Sequence, residues 1–105
     1  MEGGADIDKA HNNGETPLSS ASLKGHVEVV RSLMEGGADI DKAKNNGWTP
    51  LHVASFKGHV DVVRALVEGG ADITKATNTG STPLQVATKR KHTEIIHLLE
   101  LAAQV

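Results

Sequence analysis

Six histidines, a pair of adjacent serines and one basic run are the parts of this 105-residue chain that could do chemistry. His26, His59 and His92 recur in register, and neutral imidazole is a common metal ligand. Zinc ligands must converge to about 2.0–2.2 Å from one ion, whereas equivalent residues on packed helices stand roughly 8–10 Å apart. No metal site and no cofactor are therefore expected; each of these histidines, like His52, is expected to support its own loop by hydrogen bonding. Ser19, Ser20 and His26 have the residue types of a nucleophile and a base. Nothing in the sequence places an orienting acid or oxyanion donors beside them, so no catalytic residue and no enzyme activity are expected. Lys89-Arg90-Lys91-His92 is the basic run. At the end of a short helix its cations complement the macrodipole, and as a surface patch they could contact an acidic peptide.

The elements that would position these groups follow from a repeat. The nine residues from Glu2 to Ala10 recur unchanged at 35–43 and with one change, Thr74 for the second Asp, at 68–76. Thr-Pro-Leu begins at Thr16, Thr49 and Thr82. The constant period, without insertions, describes one supersecondary unit that cannot bury its own apolar face and stacks on copies of itself.

Within the middle unit, Thr49 can cap a helix that Pro50 starts, because proline lacks the N–H that would go unpaired there. Leu51, Val53 and Ala54 form the expected buried side, and Gly58 can take the left-handed conformation that closes the helix. Val60, Val63, Ala65, Leu66 and Val67 mark a second amphipathic helix that Gly69-Gly70 stops near Glu68. The connection that follows runs extended to a tight turn, where Asn13-Gly14 and Asn46-Gly47 favour positive φ. Helices this short are marginal alone, so stacking must hold them.

Composition narrows the function classes. Hydrophobic residues at 38% and charged residues at 23% are ordinary for a folded domain, and aromatic content of 2% leaves only Trp48 and Phe56 as rings besides the imidazoles. The core must then be aliphatic. A net charge of -2 removes the whole-molecule field that draws proteins to nucleic acid or anionic membranes, so neither is an expected partner. The absence of cysteine fits a reducing compartment, cytoplasm or nucleus, and neither a signal-peptide pattern nor a membrane-length apolar run is present.

Thr49-Pro50-Leu51-His52-Val53-Ala54, with Gly58-His59, Val62-Val63 and Gly70-Ala71-Asp72, resembles the ankyrin repeat signature over nearly the whole chain. The resemblance implies an all-α solenoid of helix-turn-helix pairs with β-hairpin-like fingers. It also implies a concave face of first helices and finger tips, and function by protein binding without catalysis. On this reading a single domain comprises repeats at about 12–44, 45–77 and 78–105, the last with a C-terminal cap. Residues 1–11 read as a partial preceding connector, as expected of an excised or engineered array.

End units depart from the pattern. Ser19 and Ser20 stand where the middle unit has His52 and Val53, an apolar position turned polar as in a capping unit. In the third unit Gln85, Lys91, Thr93 and Glu100 replace His52, Gly58, Val60 and Val67, which suits an outer face meeting water.

Subtracting the shared pattern leaves Asn12, Asn13, Glu15, Leu23 and Lys24, then Asn45, Asn46, Trp48, Phe56 and Lys57, then Asn78, Thr79, Ser81, Lys89 and Arg90. By the resemblance these are finger-tip and first-helix positions. Trp48, Phe56, Leu23, Lys24, Lys57, Asn46, Lys89 and Arg90 are the expected contacts for a protein or peptide partner, with the two rings as apolar anchors. The same rings could instead serve stability alone. A scaffold without an evolved ligand is the rival reading, favoured by the near-identity of the units. A monomer is expected, with weak self-association through an uncapped N-terminal end as the alternative.

Overall fold

A computed structural model describes residues 6–104 as six helices, with no strand among them. In chain order they are α1 (Pro17–Lys24), α2 (Val27–Glu35), α3 (Pro50–Lys57), α4 (Val60–Glu68), α5 (Pro83–Lys89) and α6 (Thr93–Ala102). Each pair is an antiparallel hairpin. First helices α1, α3 and α5 form one layer and second helices α2, α4 and α6 the other, in a stack with extents of 43 × 25 × 23 Å.

Helix starts are set locally. The hydroxyl oxygens of Thr16, Thr49 and Thr82 accept from the backbone N–H of Ser19, His52 and Gln85, respectively, at the third position of each helix, at 3.1, 3.3 and 3.2 Å. Proline follows each threonine and carries no amide to leave unpaired. Gly25 and Gly58 close α1 and α3 at φ 76° and 82°. At the same position Lys91 holds φ 61°, the sole non-glycine residue with positive φ among those described.

Stacking, not propensity, decides burial. Val62 and Ile95 are 1% and 0% exposed, while Val29, the equivalent residue of the first unit, is 48% exposed. The three have the same helical position and similar chemistry; what differs is a neighbour on the N-terminal side. Burying such a side chain is worth about 1.5–3 kcal/mol. Leu18, Leu51, Leu66, Ile95 and Leu99 form the aliphatic core with the valines between them.

The fingers are tight turns. In each, the glycine amide donates back three residues, Gly14 to His11, Gly47 to Lys44 and Gly80 to Thr77, at 2.8, 2.8 and 2.9 Å. A second bond closes the stem, from Lys44 N–H to Trp48 O at 2.8 Å and its counterparts. Only the glycines take positive φ. The residues before them, Asn13, Asn46 and Thr79, do not, so the turn is a three-residue loop with a left-handed glycine and not a two-residue primed turn.

Neighbouring fingers are zipped together. Asn45 Nδ2 donates to Asn12 O at 3.0 Å and Asn78 Nδ2 to Asn45 O at 2.9 Å, while the amides of Asn45 and Asn78 donate to Asn13 O and Asn46 O. The asparagines therefore hold the stack.

Two expectations need correction. Of the two serines read as a polar capping substitution, only Ser20, in the place of Val53, is partly exposed; Ser19 is 1% exposed, and its hydroxyl has no protein partner. It occupies the position that His52 holds one unit on. His59 and His92 do not serve their own loops. Their Nε2 atoms reach back to Leu23 O at 2.9 Å and Phe56 O at 3.0 Å on the preceding first helix, capping carbonyls that lack an intrahelical partner.

Candidate partner-binding groove

Two units build one open groove of about 840 Å³. On one wall stand Trp48 and Phe56; on the other, Thr79, Gly80 and Ser81 of the third finger, with Gln85, Val86, Lys89 and Arg90 of α5 and its end. Trp48 is fixed by its place on the second finger stem, where its amide donates to Asn46 Oδ1 at 3.0 Å and its carbonyl accepts from Lys44. Phe56 lies in the last turn of α3. The ring centroids are 5.6 Å apart at 83°, an edge-to-face pair, and both side chains are half-buried.

Below Trp48 lies His52, 0% exposed, with centroids 5.8 Å apart. Thr49 N–H donates to His52 Nδ1 at 3.1 Å, which leaves the ring proton on Nε2, donated to Ser81 O at 2.9 Å. One imidazole thus caps α3 and ties the second unit to the third finger. Burial holds its pKa below the usual imidazole value, so the ring is neutral where it sits. Gln85 repeats only the capping half of this arrangement, accepting from Thr82 N–H at 2.9 Å, and is exposed.

Arg90 crosses from the third unit to the second. Its guanidinium carbon stands 4.3 Å from the centre of the Phe56 ring, within cation–π range. Helix-end electrostatics alone did not suggest this contact, because the partner lies in another unit.

The structure brings Trp48, Phe56, Lys89 and Arg90 together on the groove and leaves the other expected contacts outside it. Leu23, 36% exposed, occupies the position of Phe56 one unit earlier and does not line the groove. Lys24 borders a separate hollow with Lys9, His26 and Val29. Lys57 is exposed at the end of α3, and Asn46 has its side-chain oxygen and backbone carbonyl engaged in the finger ladder. Gly80, Gln85 and Val86 line the groove without having been singled out as contacts. Gln85 was visible as a departure from the repeat, but the framework positions Gly80 and Val86 carried no signal.

Metal chemistry finds little here. Among the described residues no group of three His, Asp or Glu side chains gathers at ligating distance, and the Nε2 atoms of His52, His59 and His92 face carbonyl oxygens.

A family model for ankyrin repeats in three copies matches residues 1–77 and 42–105. Comparison with curated proteins returns no match.

Proposed function

Because the chain belongs to the ankyrin repeat family, whose members are generally protein–protein interaction modules, we propose that it is a non-enzymatic binding module whose partner lies in the Trp48–Phe56 groove. The observation that carries this reading is the ring pair. The chain has two aromatic residues of the Trp, Tyr and Phe class, and both stand on the wall of the same groove, half-buried and so still offering apolar surface. Tryptophan and arginine are the types that most often dominate binding energy, and Trp48 and Arg90 flank Phe56 from two different units.

Trp48 is the sole tryptophan and reports on its own site. Peptides selected from a random displayed library against the immobilised chain are expected to shift Trp48 emission and to lose binding to a Phe56→Ala variant. Selected peptides that bind equally well without the ring would refute the groove assignment.

A scaffold role without a ligand is the second reading, and the unchanged recurrence of Glu2–Ala10 at 35–43 favours it. A library that yields no groove-directed binder would support that alternative.

A further inference from the structure

Charge is sorted between the two layers in a way that the net value hides. All of the eleven Lys and Arg residues except Arg31 and Arg64 fall in the finger-plus-first-helix segments 9–25, 42–58 and 75–91. Of the thirteen Asp and Glu residues, only Glu15 falls there. The second helices hold Glu28, Glu35, Asp61, Glu68, Glu94 and Glu100, the connectors after them Asp39, Asp41 and Asp72, and the segment before α1 Asp6 and Asp8; Glu2 lies outside the described residues. A molecule of net charge -2 therefore presents one cationic face and one anionic face.

The sorting reaches the groove. Lys89 and Arg90 line it, both exposed, and no carboxylate does. Among the described residues the ion pair formed is Arg64 with Asp61 at 3.5 Å, on α4, so Lys57, Lys89 and Arg90 face solvent without an acidic neighbour. Arg90 holds its guanidinium carbon 4.3 Å from the centre of the Phe56 ring, and a guanidinium engaged with an aromatic ring keeps its N–H donors for a planar bidentate acceptor.

Resting on the groove reading above, we propose that the segment bound there is an acidic peptide stretch carrying an apolar side chain. The apolar group packs against the edge-to-face rings of Trp48 and Phe56. Flanking carboxylates pair with Arg90 and Lys89, where like-charged stretches are repelled and neutral ones leave the cations unpaired. Duplex nucleic acid would meet the same cations, but it offers no apolar side chain for the rings of Trp48 and Phe56.

Trp48 emission tests the assignment by titration with four probes: a Glu-rich peptide with one central Leu, the same peptide with Gln for Glu, the same with Lys for Glu, and a short DNA duplex. The Glu-rich peptide is expected to bind at least about ten-fold more tightly than the Gln peptide, and to weaken by about ten-fold between roughly 0.05 and 0.5 M salt. The Lys peptide and the duplex are expected to bind more weakly than either. A Lys89→Glu/Arg90→Glu variant, its fold checked by circular dichroism, is expected to reverse the peptide preference; Lys89→Gln/Arg90→Gln is expected to abolish it. Equal binding of the Glu and Gln peptides, both dependent on Phe56, overturns the acidic partner while the groove reading stands. Tighter binding of the duplex or the Lys peptide overturns it as well. If no peptide moves Trp48 emission, both readings fall.

Discussion

Replacing Gly58 by Ala tests the claim that each first helix ends in a seat for the next unit's histidine. Gly58 holds φ 82°, and a Cβ added there would lie 2.8 Å from His92 Cε1 and 3.1 Å from Nδ1. Two costs arise. The left-handed backbone costs a residue with a Cβ about 1–2 kcal/mol. The methyl also pushes the imidazole off Phe56 O, now 3.0 Å away, which forfeits a hydrogen bond worth about 0.5–1.5 kcal/mol. The sum is about 1.5–3.5 kcal/mol. Gly70 separates the two costs, since it holds φ 95° with nothing within 4 Å of an added Cβ, so Gly70→Ala should cost only the backbone part. The gain from a stiffer unfolded chain applies to both and cancels in the comparison. Urea unfolding followed by circular dichroism and by Trp48 fluorescence gives each difference, and coincidence of the two probes checks that the units unfold together. In a His92→Ala background Gly58→Ala should cost no more than Gly70→Ala. Equal costs for the two glycines in the wild-type background would refute the histidine seat.

Lys91 is the converse case. Lys91→Gly relieves a left-handed lysine at φ 61° and is expected to stabilise by about 0.5–1 kcal/mol after the added unfolded-state entropy, read as a raised urea midpoint. His52 makes stability depend on pH. Its folded pKa is depressed by burial, so the unfolded chain takes up the proton first; the contribution is complete above about pH 6.5 and is lost as pH falls from there towards the folded value. His52→Gln, which can still cap Thr49 as Gln85 caps Thr82, should remove that part of the fall between about pH 7.5 and pH 5, and an unchanged fall would contradict it. Trp48→Ala and Phe56→Ala, measured singly and together, should show a coupling of about 0.5–1.5 kcal/mol from their edge-to-face contact, and additive losses would show that the rings stand independently.

Legibility from sequence followed the range of the interaction concerned. Helix starts at Thr16, Thr49 and Thr82, the stop at Gly58 and the turn at Gly47 were all readable, since each is decided by residues within a turn of one another. The histidines were misassigned for the same reason. A hydrogen bond from His59 to Leu23, 36 residues away, leaves no local trace. Asn45 and Asn78 looked variable because their register with the fingers beside them is a property of the stack. Charge balance read over the whole chain gave -2 and hid the sorting, which appears only once helices are assigned to layers.

What the amino-acid order determined by itself was the unit, its period and its two helices, because capping, proline at the first turn and left-handed glycine act over a few residues. Tertiary structure alone decided which copies of one position are buried, as Val29 and Val62 show, and which distant side chains meet, as Arg90 and Phe56 show. Burial and contact across units depend on what stands on either side of a residue in the stack, and identical local sequence carries no record of its neighbours.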